Sequence, residues 1–179
     1  MTDAPVLSRI VNVAEPPAAE IAIVAGEAER QKLAAACDVV AVNGLSATVS
    51  LTPGAKGGVT VDGHVVADIV QTCVVSLVPV EQHIDETFSV RYVRGPEPQP
   101  KPGSEIVIDA SLPDPPEILT GQTIDVGELV EEYFALAIDP YPRAPGATLP
   151  AEIATDEDND EASPFAALAS LVKPPAKRG

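Results

Sequence analysis

Leu45-Ser46-Ala47-Thr48-Val49-Ser50-Leu51-Thr52, then Pro53-Gly54-Ala55-Lys56-Gly57-Gly58, then Val59-Thr60-Val61-Asp62-Gly63-His64-Val65-Val66-Ala67-Asp68-Ile69-Val70-Gln71-Thr72-Cys73, is the stretch that decides the fold. In the first run Leu45, Ala47, Val49 and Leu51 alternate with hydroxyl side chains, the period of two that a half-buried strand requires. Pro53-Gly54 stops that strand and Gly57-Gly58 opens a return. In the return Val59, Val61, Gly63, Val65, Ala67, Ile69, Gln71 and Cys73 hold one phase without a slip. The segment therefore reads either as one long bent strand or as a hairpin at Asp62-Gly63. Both readings predict an antiparallel sheet.

Upstream, residues 7–13 and 20–25 read as short strands separated by Pro16-Pro17. Over residues 27–37 the period lengthens to that of a helix, with Leu33, Ala36, Cys37 and Val40 at i, i+3, i+4 and i+7, which makes Cys37 a small core residue. After Pro79, a further strand places Phe88, Val90 and Tyr92 on one face and Ser89 and Arg91 on the other. Residues 95–104 contain four prolines, and Pro113, Pro115 and Pro116 follow, so a semi-rigid loop is expected around one short strand at 106–108. The second helix, over residues 126–138, is the best signposted. Asp125 suits its N-cap with Glu128 three residues on, and Val126, Leu129, Val130, Tyr133, Phe134 and Ala137 form its apolar stripe, with Glu131 and Glu132 facing water. It stops at Asp139-Pro140.

The fold class expected is thus α+β: an antiparallel β-sheet packed by two main helices in a single domain over residues 1–150. A flexible acidic linker is expected over 151–163, where Asp156, Glu157, Asp158, Asp160 and Glu161 repel one another. A short C-terminal amphipathic helix with a basic end follows over 164–179, with Phe165, Leu168, Leu171 and Val172 at helical spacing after Ser163-Pro164.

Composition narrows the function. The 179 residues carry 27 Asp and Glu against 11 Lys and Arg, a net charge of −16, which opposes a sequence-independent grip on phosphate backbones. There is no Trp, and the few aromatics begin only at Phe88, so stacking platforms for single-stranded nucleic acid are nearly lacking. Apolar residues make up 45 %, enough to build a core. Two distant cysteines and an N-terminus without the basic and apolar regions of a secretory signal predict a cytoplasmic protein. The uncharged stretch at 69–80 is too short and too polar to span a bilayer, so no membrane partner is expected.

Three further segments carry a resemblance in their order and spacing. They are Gln71-Thr72-Cys73-Val74-Val75-Ser76-Leu77-Val78-Pro79-Val80, Ile124-Asp125-Val126-Gly127-Glu128-Leu129-Val130, and Asp139-Pro140-Tyr141-Pro142-Arg143-Ala144-Pro145-Gly146-Ala147. Together they resemble the YceD family of large ribosomal RNA accumulation proteins, and Ser163-Pro164-Phe165-Ala166-Ala167-Leu168-Ala169-Ser170-Leu171 is similar to the ending of its proteobacterial members. The resemblance covers roughly residues 7–172. It implies a part in ribosome biogenesis, in the accumulation of large-subunit ribosomal RNA. Many relatives have a second cysteine shortly after the first, and some a further pair near the C-terminus, an arrangement that suggests zinc. Here Val74, Val75 and Ser76 supply no ligand beside Cys73, and His64 and His83 are isolated, so neither a metal nor a cofactor is expected.

Cys73 lies on the apolar phase of its strand and is expected to be a small buried thiol. Asp125 and Glu128 could be a general acid and base, but their spacing at a helix start is what capping demands. The partner-binding candidates are Tyr141, Arg143, Phe165 and Leu168. Three prolines across residues 139–147 fix the backbone around Tyr141 and Arg143, so these side chains can be presented at low ordering cost. The competing reading is a strap that packs Tyr141 against the sheet. Phe165 and Leu168 would anchor a segment that folds as it docks, or would cap their own domain.

The function expected is a non-enzymatic assembly factor that contacts ribosome assembly proteins or ribosomal proteins, since an acidic surface steers basic partners. Direct contact with ribosomal RNA would require Arg91, Arg94, Lys101 and Arg143 to cluster. The alternatives are an acidic chaperone or adaptor for a basic partner outside ribosome assembly, and a carboxylate and metal-dependent hydrolase, for which no phosphate loop, nucleophile elbow or metal pattern is present.

Overall fold

The computed structural model describes residues 5–95 and 115–148. The chain divides into two compact units, Met1–Ala144 and Pro145–Gly179, and every element below belongs to the first. The strand expected at 106–108, the acidic linker and the C-terminal amphipathic helix lie outside the described residues.

In chain order the elements are β1 (Ile10–Asn12), β2 (Ile21–Val24), α1 (Glu27–Ala36), β3 (Ala41–Pro53), β4 (Val59–Thr72), β5 (Pro79–Val93), β6 (Glu117–Ile118), β7 (Thr123–Asp125) and α2 (Val126–Leu136). The main sheet has the order β2-β3-β4-β5-β6, and β1 pairs with β7 in a separate two-stranded ribbon. The sheet is mostly antiparallel, as expected, with one exception: β6 runs parallel to β5, placing Tyr92 opposite Glu117. That short parallel pair is possible because the proline-rich segment between the two strands is long enough to cross back.

The long return is one strand. β4 pairs with β5 along its full length and with β3 from Val59 to Val70, and Gly63 sits mid-strand opposite Val49 and Phe88 rather than in a turn. A Cβ at Gly63 would lie 2.2 Å from the Phe88 ring, and that ring in turn stacks on Tyr133 of α2 with centroids 4.3 Å apart. The glycine is thus a site of close approach, not a breaker. β3 begins earlier than its alternation suggests because a bulge at Val42/Gly44 shifts the phase, so Val42 and Leu45 both face the core. β5 also begins earlier, at Pro79, whose missing N–H is tolerated at the start of a strand. Exposed Glu81, His83, Asp85 and Glu86 hide the period in its first half, where only Ile84 is buried.

One face of this sheet carries a continuous aliphatic core that includes Val49, Val61, Val65 and Ile69, covered by Leu33 of α1 and by Val126, Val130 and Phe134 of α2. Each such side chain, taken fully from water, contributes about 1.5–3 kcal/mol. α1 ends one turn before its expected stripe does. Cys37 is its C-cap and Asp38 adopts the left-handed conformation at φ 53°, with the Val39 N–H donating to the Ala34 carbonyl, so Val40 leaves the helix and is 59 % exposed.

The start of α2 is a second close approach. Asp125 is the N-cap: its Oδ1 accepts from the N–H groups of Gly127 (3.0 Å) and Glu128 (3.2 Å), and also from the Arg9 N–H (2.6 Å). This geometry supports the capping role over the acid–base one. Glu131 does not simply face water. Its Oε2 accepts from the Val6 (2.7 Å) and Leu7 (3.2 Å) N–H groups and ties the N-terminal segment to the helix.

Candidate functional site

Beyond α2 the chain turns back over the end of β4 as a strap spanning residues 139–144. Asp139 precedes Pro140 and so cannot continue the helix easily. Its N–H donates to Gln82 Oε1 (3.1 Å), while Gln82 Nε2 donates to the Ala137 carbonyl (2.9 Å) and Gln71 Nε2 to the Asp139 carbonyl (2.8 Å). Asp139 Oδ1 accepts from the Tyr141 N–H (2.8 Å), closing a local Asx turn. The Pro142 carbonyl accepts from the Val74 N–H (2.9 Å), and Pro142 itself is buried.

The backbone of the strap is therefore bonded at almost every step, yet its two distinctive side chains point away. Tyr141 is 72 % exposed and Arg143 is exposed as well. Tyr141 does not pack against the sheet; Pro142 takes the buried position instead. The alternation follows from extended backbone, in which successive side chains face opposite ways.

Facing the strap is the turn that joins β4 to β5, and Cys73 is its hub. The thiol is fully buried, as its phase predicts. Its Sγ accepts from the Ala144 N–H (3.2 Å) and the Ser76 N–H (3.3 Å). The bond from Ala144 is the largest cause, followed by those from Ser76, and together they outweigh burial and hold the thiol down at about 6. Leu77 takes φ 60°, an uncommon conformation for a residue with a long side chain, and is 76 % exposed. Val74 and Val78 are about half exposed beside it. Sequence reasoning missed these three apolar side chains, because a turn between strands carries no period from which outward-facing positions can be read.

Among the described residues, Arg91, Arg94 and Arg143 do not gather into one patch. Arg91 stands opposite Thr60, and the Arg94 guanidinium donates to the Gly57 (2.9 Å) and Gly121 (3.0 Å) carbonyls, both near the start of β4. Arg143 lies by Cys73 at the other end, about 40 Å away along an extended strand. Lys101 lies outside the described residues. The outer sheet face between them is instead polar and acidic. There His64 Nε2 meets Asp85 Oδ1, and His83 Nδ1 meets Asp68 Oδ1, each at 2.7 Å. The Asp68 bond raises the His83 pKa above its ordinary value. Among the described residues no three His, Cys, Asp or Glu side chains are placed to share a metal ion, and no helix is long and apolar enough to cross a membrane. Phe165 and Leu168 lie outside the described residues.

The family model "Large ribosomal RNA subunit accumulation protein YceD" matches residues 61–172. The chain belongs to this family. The matched region starts within β4 and takes in β5, α2, the Cys73 turn and the strap, while β1, β2, α1 and β3 precede it. Comparison with curated proteins and with solved structures gives no match.

Proposed function

We propose that this member of the YceD family is a non-enzymatic, cytoplasmic ribosome-biogenesis factor that promotes accumulation of large-subunit ribosomal RNA through contacts with basic ribosomal or assembly proteins. Family membership over residues 61–172 carries the biological role. The net charge of −16, and the separation of Arg91 and Arg94 from Arg143, favour protein contacts over a direct grip on RNA. The strap supplies the recognition element: Tyr141 and Arg143 are residue types enriched in binding hot spots, and they are held out from a backbone already ordered before any partner arrives. Phe165 and Leu168 are the second pair of anchors in this proposal.

The test is genetic and then biochemical. Cells lacking the protein should hold less mature large-subunit RNA relative to small-subunit RNA, measured by RNA quantification and gradient sedimentation. Unchanged ratios and normal subunit profiles would remove the proposal. If the role is present, Arg143→Ala and Phe165→Ala should each weaken recovery of a basic partner by tenfold or more, while neutralising the acids at 156–161 should chiefly alter its salt dependence.

A further inference from the structure

β5 is the rim of the main sheet over most of its length, because β6 pairs with it only at Tyr92 and Val93. The Val93 carbonyl, which faces away from β4, accepts from the Leu119 N–H (2.9 Å). In an antiparallel pair successive residues point their backbone groups to opposite sides, so Glu81, His83, Asp85, Thr87, Ser89 and Arg91 present theirs to the same rim as Val93. Among the described residues none of these six has a backbone partner there. A long open edge is a template for another strand, and proteins guard it with charge. Over residues 81–86 that charge is negative: Glu81, Asp85 and Glu86 are exposed carboxylates, and the His83 imidazole is held by Asp68 (2.7 Å). A net charge of −16 opposes the pairing of two copies of this chain along the edge, whereas a basic strand is attracted to it.

α2 follows this edge on the core face: Tyr133 stacks on Phe88, and Gln82 Nε2 donates to the Ala137 carbonyl (2.9 Å) at the helix end. Leu129, Tyr133 and Leu136 share one flank of α2 by their spacing of four and three residues. β6 lies beside the first part of that flank, where Tyr92, Glu117 and Leu129 line a common recess and Leu129 is buried. Farther along, Leu136 is 72 % exposed. A second recess, of about 520 Å³, adjoins the rim between Ser89, Val90, Pro115 and Tyr133. Edge and flank together form one groove, of which β6 fills an end. We propose that the rest of this groove receives an extended segment of a basic partner protein as an added strand, hydrogen-bonded to β5, in which basic and apolar residues alternate. Its basic side chains lie on the outer face beside Glu81 and Asp85, and its apolar ones on the core face against Tyr133 and Leu136. The inference rests on the proposed function only for its biological setting, and its surface is separate from the strap.

The experiment uses the full-length protein and three short capped peptides: lysine and valine in alternation, the same residues in two blocks, and glutamate and valine in alternation. Titrations are followed by NMR of backbone amides, together with hydrogen exchange. The amides of His83, Asp85 and Thr87 point away from β4, so they should exchange quickly in the free protein and at least tenfold more slowly with the alternating lysine peptide bound. Those of Ile84 and Glu86, which face β4, should change little. The block and glutamate peptides should bind at least tenfold more weakly. Thr87→Pro removes an edge-facing N–H without touching the ladder to β4, and should abolish the protection. Leu136→Ser alters an exposed side chain, so that variant stays folded and should bind several-fold more weakly; it decides the matter if Thr87→Pro does not fold. Edge amides already protected in the free protein, no saturable binding, binding without their protection, equal binding of either control peptide, or unchanged binding by Leu136→Ser would each overturn the assignment. The two readings fail separately. If the edge ignores the lysine peptide while loss of the protein still lowers large-subunit RNA, the edge inference alone falls. If the edge binds it while RNA is unaffected, the ribosome-assembly reading falls.

Discussion

Two corners of this molecule are built by the same device and put it to opposite uses. At the start of α2, the carboxylates of Asp125 and Glu131 accept backbone N–H groups from the N-terminal segment, and Gly127 brings the helix against Leu7. At the far end of β4, the Cys73 thiol and the amides of Gln71 and Gln82 fasten the strap. In both, side-chain groups satisfy backbone that no sheet or helix ladder could. At the first corner the apolar side chains, Leu7 and Val126, are fully buried. At the second, Val40, Val74, Leu77, Val78 and Tyr141 are left substantially exposed around a fixed backbone. A closed corner contributes stability; a corner with fixed backbone and outward apolar side chains is suited to contact.

The largest expected effect tests the closed corner. A Cβ at Gly127 would sit 1.5 Å from the Leu7 carbonyl oxygen, a backbone atom that cannot rotate aside. Gly127→Ala should therefore cost about 3 kcal/mol or more in denaturant unfolding, and a near-neutral result would mean that the N-terminal segment does not dock on α2. Next comes Asp125→Ala, which removes a cap and the acceptor for Arg9 and Ser8, with an expected loss of roughly 2 kcal/mol. Burial alone would raise the Asp125 pKa, but the bonds from Ser8 and from the Arg9, Glu128 and Gly127 N–H groups outweigh it and lower it. A depressed carboxylate stabilises the fold above its unfolded value and loses that contribution as pH falls through the folded one. The wild-type protein should therefore lose more stability than Asp125→Ala on acidification below the ordinary carboxylate range.

At the second corner the effects are differently distributed. With the Cys73 thiol at about 6, against an ordinary value of 9.0, its contribution is complete above 9 and absent below about 6. The stability of wild type relative to Cys73→Ala should rise across that interval, and parallel pH profiles would show that the two N–H bonds to sulfur have little weight. Alkylation of Cys73 should nevertheless be slow, because the sulfur is covered. The smallest stability change belongs to Tyr141→Ala and Arg143→Ala, each within about 0.5 kcal/mol, as for exposed side chains that hold nothing in place. A larger loss from either would reduce the contrast between the corners, since it would make the strap's side chains structural.

Residues 45–73 read correctly as antiparallel sheet because alternation survives whatever they pack against, although the choice between one long strand and a hairpin at Asp62-Gly63 stayed open, and the Asp125 cap was legible because its partners lie two and three residues away. The bulge at Val42/Gly44, the first half of β5 and the parallel β6 were not. There the phase slips, charged residues break the pattern, or pairing depends on a strand more than twenty residues distant. The proline spacing in the strap indicated a stiff backbone, yet which of Tyr141, Pro142 and Arg143 would be buried depended on where the strap met Cys73 and Gln71.

The sequence by itself determined the period of each regular element, the sign and size of the charge, and the motifs that mark the family. The tertiary structure alone decided that Gly63 receives an aromatic ring, that Glu131 holds the N-terminal segment, and that Asp38, Gln71 and Asp139 line one recess. The first group rests on interactions between residues a few positions apart, or on composition, which needs no geometry at all. The second rests on groups brought together from distant parts of the chain, as when Gln71 meets Asp139, and only packing of the whole core fixes which of them meet.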